Sequence, residues 1–205
     1  MLSYRHAFHA GNHADVLKHY VLSLVLAYMK QKDKPYWYID THAGAGLYQL
    51  KDGYASQNAE FEQGIAKLMA AEQLAPALAD FVALIKSFNL GELDFYPGSP
   101  LLAQALLRAD DKMRLFELHP SDHTLLTANF NGQAKQVQIA QQDGSAGIKT
   151  CLPPPPRRAV ALIDPPYEDK QVYQRVVALV KDSLKRFASG TYLIWYPILL
   201  RTEPG

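Results

Sequence analysis

The stretch 152–167 constrains this chain more than any other. Leu152-Pro153-Pro154-Pro155-Pro156-Arg157-Arg158 runs into Ala159-Val160-Ala161-Leu162-Ile163, and Asp164-Pro165-Pro166-Tyr167 follows at once. Consecutive prolines fix φ and remove N–H donors, so 152–158 is neither helix nor sheet interior but a stiff approach. The five apolar residues after it read as a buried strand, which belongs in a sheet covered on both faces. That strand carries an acidic residue and two prolines to the carboxyl edge of its sheet.

The rest of the chain supplies partners for that strand. Aromatic and β-branched runs predict strands over 36–40, 113–117, 137–140 and 191–195. Between them, Val16, Leu17, Tyr20, Val21, Leu24, Val25 and Tyr28 recur at helical spacing within 15–32, which Lys34-Pro35 ends. Further helices are predicted over 101–107, over 121–130 with Ser121 as the cap, and over 170–187. Strands that alternate with helices imply an α/β fold with a mostly parallel, open sheet. Residues 52–95 show helical patterns over 58–71 and 76–88 and no clear strand. They read as a helical insertion, which leaves 1–51 and 96–205 as the α/β domain.

Composition narrows the setting. The 205 residues are 48% hydrophobic and 20% charged, a globular balance that can bury a sizeable core. Cys151 is the single cysteine, so neither an internal disulfide nor a multi-cysteine zinc site is available. With no signal peptide, this favours a cytoplasmic location. The apolar run 16–29 is interrupted by Lys18 and His19 and does not suit a membrane span. A formal net charge of +1 is not that of a protein coating nucleic acid nonspecifically.

Five constellations carry chemistry. The first strand runs from Asp40 into Thr41-His42-Ala43-Gly44-Ala45-Gly46, where Gly44 and Gly46 let backbone approach a ligand beyond the strand ends. Glu117 closes the second strand, where an acid can accept both hydroxyls of a ribose. Asp143-Gly144 closes the third, where an acid can accept the exocyclic amine of an adenine. Read singly, the glycine loop and Asp143-Gly144 also suit plain turns, and Glu117 a solvent-facing strand end. Asp164-Pro165-Pro166-Tyr167 is sharper. A carboxylate oxygen and a proline carbonyl make a matched pair of acceptors for an NH2 group, and Tyr167 adds a face for stacking a planar base. Finally, Tyr4, Arg5, His6, Phe8, His9, His13, Lys18 and His19 mix cations with aromatics, which suits phosphates and stacked bases. A solvated tail, a helix-surface His19 and a histidine metal site compete with that reading. No partner residues complete a metal site nearby.

Glycine loop, strand-two acid, strand-three Asp and Asp-Pro-Pro-Tyr together resemble the class I S-adenosylmethionine-dependent amino-methyltransferases. More closely, Met1-Leu2-Ser3-Tyr4-Arg5-His6 and Phe8-His9-Ala10-Gly11-Asn12-His13-Ala14-Asp15-Val16-Leu17-Lys18-His19 resemble the opening of the RlmJ family. Asp40 to Gly46, Tyr96-Pro97-Gly98-Ser99-Pro100, Glu117-Leu118-His119-Pro120-Ser121-Asp122 and Trp195-Tyr196-Pro197 extend the likeness over nearly the whole chain.

This resemblance implies a Rossmann-like, open twisted sheet with helices on both faces and a helical insertion after the first strand. It implies methylation of N6 of one adenine in 23S rRNA, with S-adenosylmethionine as donor and no metal. His19, His42, Ser99, Glu117, Asp143, Gly144 and Asp164 match positions around the donor, and Asp164 also matches the catalytic acid, with Pro165 and Tyr167 beside it. Tyr4, His6 and Lys18 match positions beside the target base, and Arg5 joins them as a cation. The expected partner is 23S rRNA, naked or early in assembly, bound by a monomer away from any membrane. The family continues past Trp-Tyr-Pro with a final strand pair, so a chain ending at Gly205 is expected to lack it. Two other classes remain open: transfer to another amine (DNA adenine, guanine N2, a glutamine side chain), and an inactive module that binds RNA or donor.

Overall fold

A computed structural model of the chain describes residues 6–51 and 59–198. Helix α1 (His13–Lys30) follows a single 3-10 turn (His6–His9). Asn12 caps it, its Oδ1 accepting the Asp15 N–H at 2.8 Å. Strand β1 (Trp37–Asp40) comes next and takes the centre of the sheet. Its parallel neighbours are β4 (Lys112–Phe116) on one side and β6 (Ala159–Ile163) on the other. Outside these lie β5 (Val137–Ala140) and β7 (Thr191–Ile194), also parallel, so the order is β5-β4-β1-β6-β7. The order reverses beside β1, where the strands' carboxyl ends open a crevice.

Period-two alternation sorts the side chains into two cores. Tyr38, Met113, Leu115, Val160 and Leu162 face α1, α4 (Ser99–Leu106) and α5 (Pro120–Asn129), meeting Leu22, Leu26, Leu101 and Leu126. Ile39, Phe116, Ala161 and Ile163 face α6 (Gly144–Cys151) and α7 (Gln171–Arg186), meeting Ile148, Val172, Val176 and Leu179. Every residue of β6 is buried, as the proline-bounded apolar run predicts. Val160, Leu162 and Ile163, so buried, each contribute about 1.5–3 kcal/mol.

A third cluster lies beneath the insertion. There α2 (Ile65–Met69) and α3 (Pro76–Lys86) pack Ile65, Phe81 and Ile85 on Tyr48, Tyr96 and Leu102. The insertion departs from and returns to an antiparallel ribbon of β2 (Leu47–Gln49) with β3 (Phe95–Pro97). Three residues per strand are too few to show alternation, so the sequence pattern does not reveal them. The helix predicted over 58–71 is instead a 3-10 turn (Glu60–Gln63) and α2, parted at Gly64. A Cβ on Gly64 would stand 2.1 Å from the Gly11 carbonyl oxygen, so only glycine permits this contact.

Two other expectations shift. Helix α5 begins at Pro120 rather than Ser121, because a proline ring pre-sets the first helical position. Ser121 is therefore not the cap, and its hydroxyl bonds His119 Nδ1 at 2.9 Å. Helix α6 has no counterpart in the sequence reading, since Gly144, Gly147 and Thr150 dilute its helical pattern.

Candidate active site

The turn after β1 is built by hydrogen bonds to the neighbouring strand end. Ala43 N–H donates to the Phe116 carbonyl at 2.9 Å, and Gly44 N–H donates to Glu117 Oε2 at 2.8 Å. Gly44 and Gly46 have φ of +64° and +85°, a region that costs any other residue strain. A Cβ on Gly44 would also meet the Tyr48 hydroxyl at 2.2 Å. Glu117 accepts a second N–H, from His119, on Oε1 at 2.7 Å. Burial pushes its carboxyl above the usual range, against the pull of these two N–H groups. Each oxygen retains a second lone pair, enough for one ribose hydroxyl each.

Asp40, at the end of β1, is fully buried. Its Oδ2 accepts the Tyr38 hydroxyl at 2.7 Å and the Ser99 hydroxyl at 2.6 Å, and its Oδ1 accepts the His42 N–H at 3.2 Å. It thus binds the glycine turn to the start of α4. Burial raises its pKa too. Thr41 has one hydroxyl proton, which goes to the Leu162 carbonyl at 3.1 Å. Its oxygen, 2.8 Å from His42 Nδ1, must then accept from that ring nitrogen. Burial lowers the His42 pKa, so the ring is the neutral Nδ1–H tautomer and offers Nε2 as an acceptor. Across the crevice, Asp143 caps α6 through Oδ1, which accepts the Ser145 N–H at 2.7 Å. A Cβ on Gly144 would lie 1.9 Å from the Thr41 carbonyl oxygen, so a bare backbone is required.

Thr41, His42, Gly44, Glu117, Asp143 and Gly144 line a cleft of about 290 Å³, with Asp40 behind them. Glu117, Asp143, His42 and Ser99 are among its polar lining residues, and Ile163, Val172, Val176 and Leu179 among its apolar ones. A second cleft of about 220 Å³ is lined by His9, Asn12, Tyr167, Trp195 and Pro197. Lys18, Asp164, Pro165 and Pro166 line both. The proline loop is pinned on its far side. Tyr167 donates its hydroxyl to the Trp195 carbonyl at 2.9 Å, and its ring lies 4.6 Å from that of Tyr173. Burial pushes the Tyr167 hydroxyl up to about 12.

Lys18 is not an exposed cation. Its side chain is 6% accessible, with Nζ 2.6 Å from Asp164 Oδ2 and 2.9 Å from Asp15 Oδ1. Burial alone lowers an ammonium pKa. Here the two carboxylates outweigh it and hold Lys18 above the ordinary lysine range. His19, also buried, stacks on Tyr96 and approaches its hydroxyl at 2.9 Å through Nδ1, with Nε2 3.5 Å from Asp15 Oδ1. This corrects the reading of Lys18 as a phosphate contact and of His19 as a helix-surface residue.

Among the sequence candidates, His19, His42, Gly44, Ser99, Glu117, Asp143, Gly144, Asp164, Pro165 and Lys18 all line the larger cleft. Gly46 stands behind it, its carbonyl accepting the Gly98 N–H at 2.8 Å. Tyr167 belongs to the smaller cleft. Tyr4 and Arg5 lie outside the described residues, and His6 opens the first 3-10 turn. Sequence reasoning did not single out Asp15, Asp40 or Tyr96. Asp15 had a signal, its position one helical turn before Lys18.

A glycine turn, a strand-end acid and an apolar wall at the reversal point of a parallel sheet define a class of nucleoside-cofactor-binding α/β proteins. The particular family follows from comparison with known proteins. The family model RsmJ, described as ribosomal RNA large subunit methyltransferase D, RlmJ, matches residues 33–204, and the chain belongs to that family. The chain is 50% identical over 204 residues to ribosomal RNA large subunit methyltransferase J of Escherichia coli (strain K12), covering 99% of this chain and 72% of that protein. It is 48% identical over 205 residues to the protein of the same name from Haemophilus influenzae, covering 99% and 73%. The crystal structure of protein LPL1258 from Legionella pneumophila superposes with a TM-score of 0.86 at 38% identity, over 93% of this chain and 70% of that one. S-adenosylmethionine is the methyl donor that membership implies.

Proposed function

We propose that this chain transfers the methyl group of S-adenosylmethionine to N6 of an adenine in 23S rRNA. One observation carries the reading: Asp164 and Pro165 form the common wall of two clefts, each large enough for part of the reaction. The larger fits the donor. Glu117 would accept both ribose hydroxyls, Asp143 Oδ2 an adenine amine, and the Ile163–Val172–Val176–Leu179 wall would pack on the ring. His19, His42 and Ser99 would surround its amino-acid end. The donor supplies an electrophilic methyl on a sulfonium.

The smaller cleft fits the target base, extruded from its helix or unpaired from the start. Tyr167 offers a stacking face. Asp164 Oδ1 and the Pro165 carbonyl accept the two amine hydrogens. That draws them out of the ring plane and localises the nitrogen lone pair, which is otherwise delocalised. Lys18 holds Asp164 Oδ2 and so sets the direction of Oδ1. The new C–N bond forms as the C–S bond breaks, and the nitrogen sheds one proton to the Asp164 carboxylate. Positioning and fixed charge supply the rate; no metal enters. In this reading residues 1–51 and 96–205 are the catalytic domain and 52–95 an inserted helical subdomain. The substrate is naked or early-assembly RNA, met by a monomer in the cytoplasm. Among the described residues no helix is long and apolar enough to cross a membrane.

The test is label transfer from S-adenosylmethionine to unmodified 23S rRNA transcript, duplex DNA and a glutamine peptide, followed by nucleoside mass spectrometry. N6-methyladenosine from the RNA alone is expected. Label in guanosine, DNA or peptide overturns the substrate reading, and donor binding without any turnover favours the inactive module.

A further inference from the structure

Besides its packing on Tyr48, Tyr96 and Leu102, the insertion meets the segment just ahead of α1. There Glu60 Oε2 lies 2.9 Å from His9 Nδ1 and accepts the Asn12 side-chain N–H, also at 2.9 Å. Ile65 N–H donates to the Gly11 carbonyl at 2.9 Å, and Gly64 lies so close to Gly11 and Asn12 that no side chain fits between them. Gly11 itself has φ of +73°, with its N–H on Asp15 Oδ2 at 3.0 Å. Both ends of the Asn12 amide are therefore committed. Its Nδ2 serves Glu60 and its Oδ1 caps α1, the helix that carries Asp15 and Lys18 to Asp164.

His9 and Asn12 also line the smaller cleft, together with Trp195 and Pro197. A wall made of a short 3-10 turn and a helix cap has little internal support. A one-turn helix is unstable alone, and a polar side chain keeps one rotamer only when partners hold it. A carboxylate 48 and 51 residues further along the chain adds support from outside. We infer that the insertion is a brace for the target-base pocket, and that Glu60 is the positioning residue through which it acts. This rests on the smaller cleft being the base pocket. Glu60 touches neither cleft, and its effect passes through His9 and Asn12.

Steady-state methylation of 23S rRNA transcript is the measurement, with calorimetric donor Kd and thermal midpoint taken on each variant. Glu60→Ala removes both bonds and is expected to raise the RNA KM roughly tenfold, the scale of a partly screened bond to a charged group. The donor Kd stays unchanged. Both bonds reach one oxygen, so Glu60→Gln can keep them and is expected to recover RNA KM to within about threefold of wild type. Trp195→Ala removes a different lining side chain of the pocket and raises RNA KM independently. If Trp195→Ala raises KM and Glu60→Ala does not, the brace is wrong while the base pocket stands. If neither does, the base pocket falls and the brace with it. An equal loss in the Gln and Ala variants, or a parallel loss of donor affinity, also overturns the positioning role.

Discussion

The two clefts meet at Asp164 but are made in different ways. The donor side is largely backbone work, apart from the side-chain link of Asp40 to Ser99. Its turn, its strand-end acids and its helix start are joined by N–H groups given to carboxylates and carbonyls at the sheet edge, as in Gly44 to Glu117 and Ser145 to Asp143. The base side is side-chain work across long stretches of sequence. Lys18 reaches Asp164 146 residues away, Glu60 reaches back to His9, and Tyr167 reaches forward to Trp195. A sheet edge presents one rigid arrangement. A pocket assembled from separated pieces can be loosened by removing any one of them.

The largest expected effect breaks that contrast at its join. Lys18→Ala leaves Asp15, 2% accessible, and Asp164, 20% accessible, without their cation. Removing one partner of a buried ion pair costs about 3–5 kcal/mol, and denaturant titration reads it. The salt dependence of RNA binding should not change, because this ammonium does not face solvent phosphates. A reduced salt slope with intact stability would return Lys18 to the phosphate contacts.

Next in size, Glu117→Ala should weaken donor binding by about 1.5–3 kcal/mol, the scale for hydrogen bonds to a charged group. It should leave RNA affinity unchanged. The pH dependence has a definite sign. Burial raises the Glu117 pKa above the ordinary value of about 4.3. Donor affinity therefore falls as pH drops through that raised value and returns as pH rises. Calorimetry across pH should show this slope in the wild type and a flat line in Glu117→Gln.

A smaller loss, about 1–3 kcal/mol of stability, is expected for Gly144→Ala, whose Cβ meets backbone rather than a movable side chain. Donor affinity should fall with it while the base side keeps its RNA affinity. Smallest is Tyr167→Phe, which keeps the ring and loses one hydrogen bond to the Trp195 carbonyl, about 0.5–1.5 kcal/mol. RNA KM should hold if the ring face is what matters, and rise if the loop must be pinned.

The same contrast explains what could be read in advance. Strand β6 and Asp164 were legible because prolines on both sides leave an apolar run one conformation. Glu117 was legible because a strand-end acid follows directly from the strand. Helix α6 was not, since its glycines serve close approach to Thr41 and Phe116, and glycine hides helical periodicity. Lys18 appeared as one cation among several near the N-terminus. Its burial depends on Asp164, which no local pattern links to it. Asp40 looked like the end of a strand, and its partner Ser99 lies 59 residues away. The ribbon of β2 and β3, three residues a strand, lies below the length at which alternation appears.

The most direct test of Asp164 as the acceptor shared by both clefts is single-turnover methyl transfer at saturating donor and RNA. Asp164→Ala should lose at least about a hundredfold in rate while binding both ligands, because the lost interaction strengthens as the amine nitrogen becomes tetrahedral. Asp164→Asn, which keeps an acceptor oxygen but no negative charge, should fall between Ala and wild type. A wild-type rate in Asp164→Ala, with the fold intact by circular dichroism, would contradict the assignment.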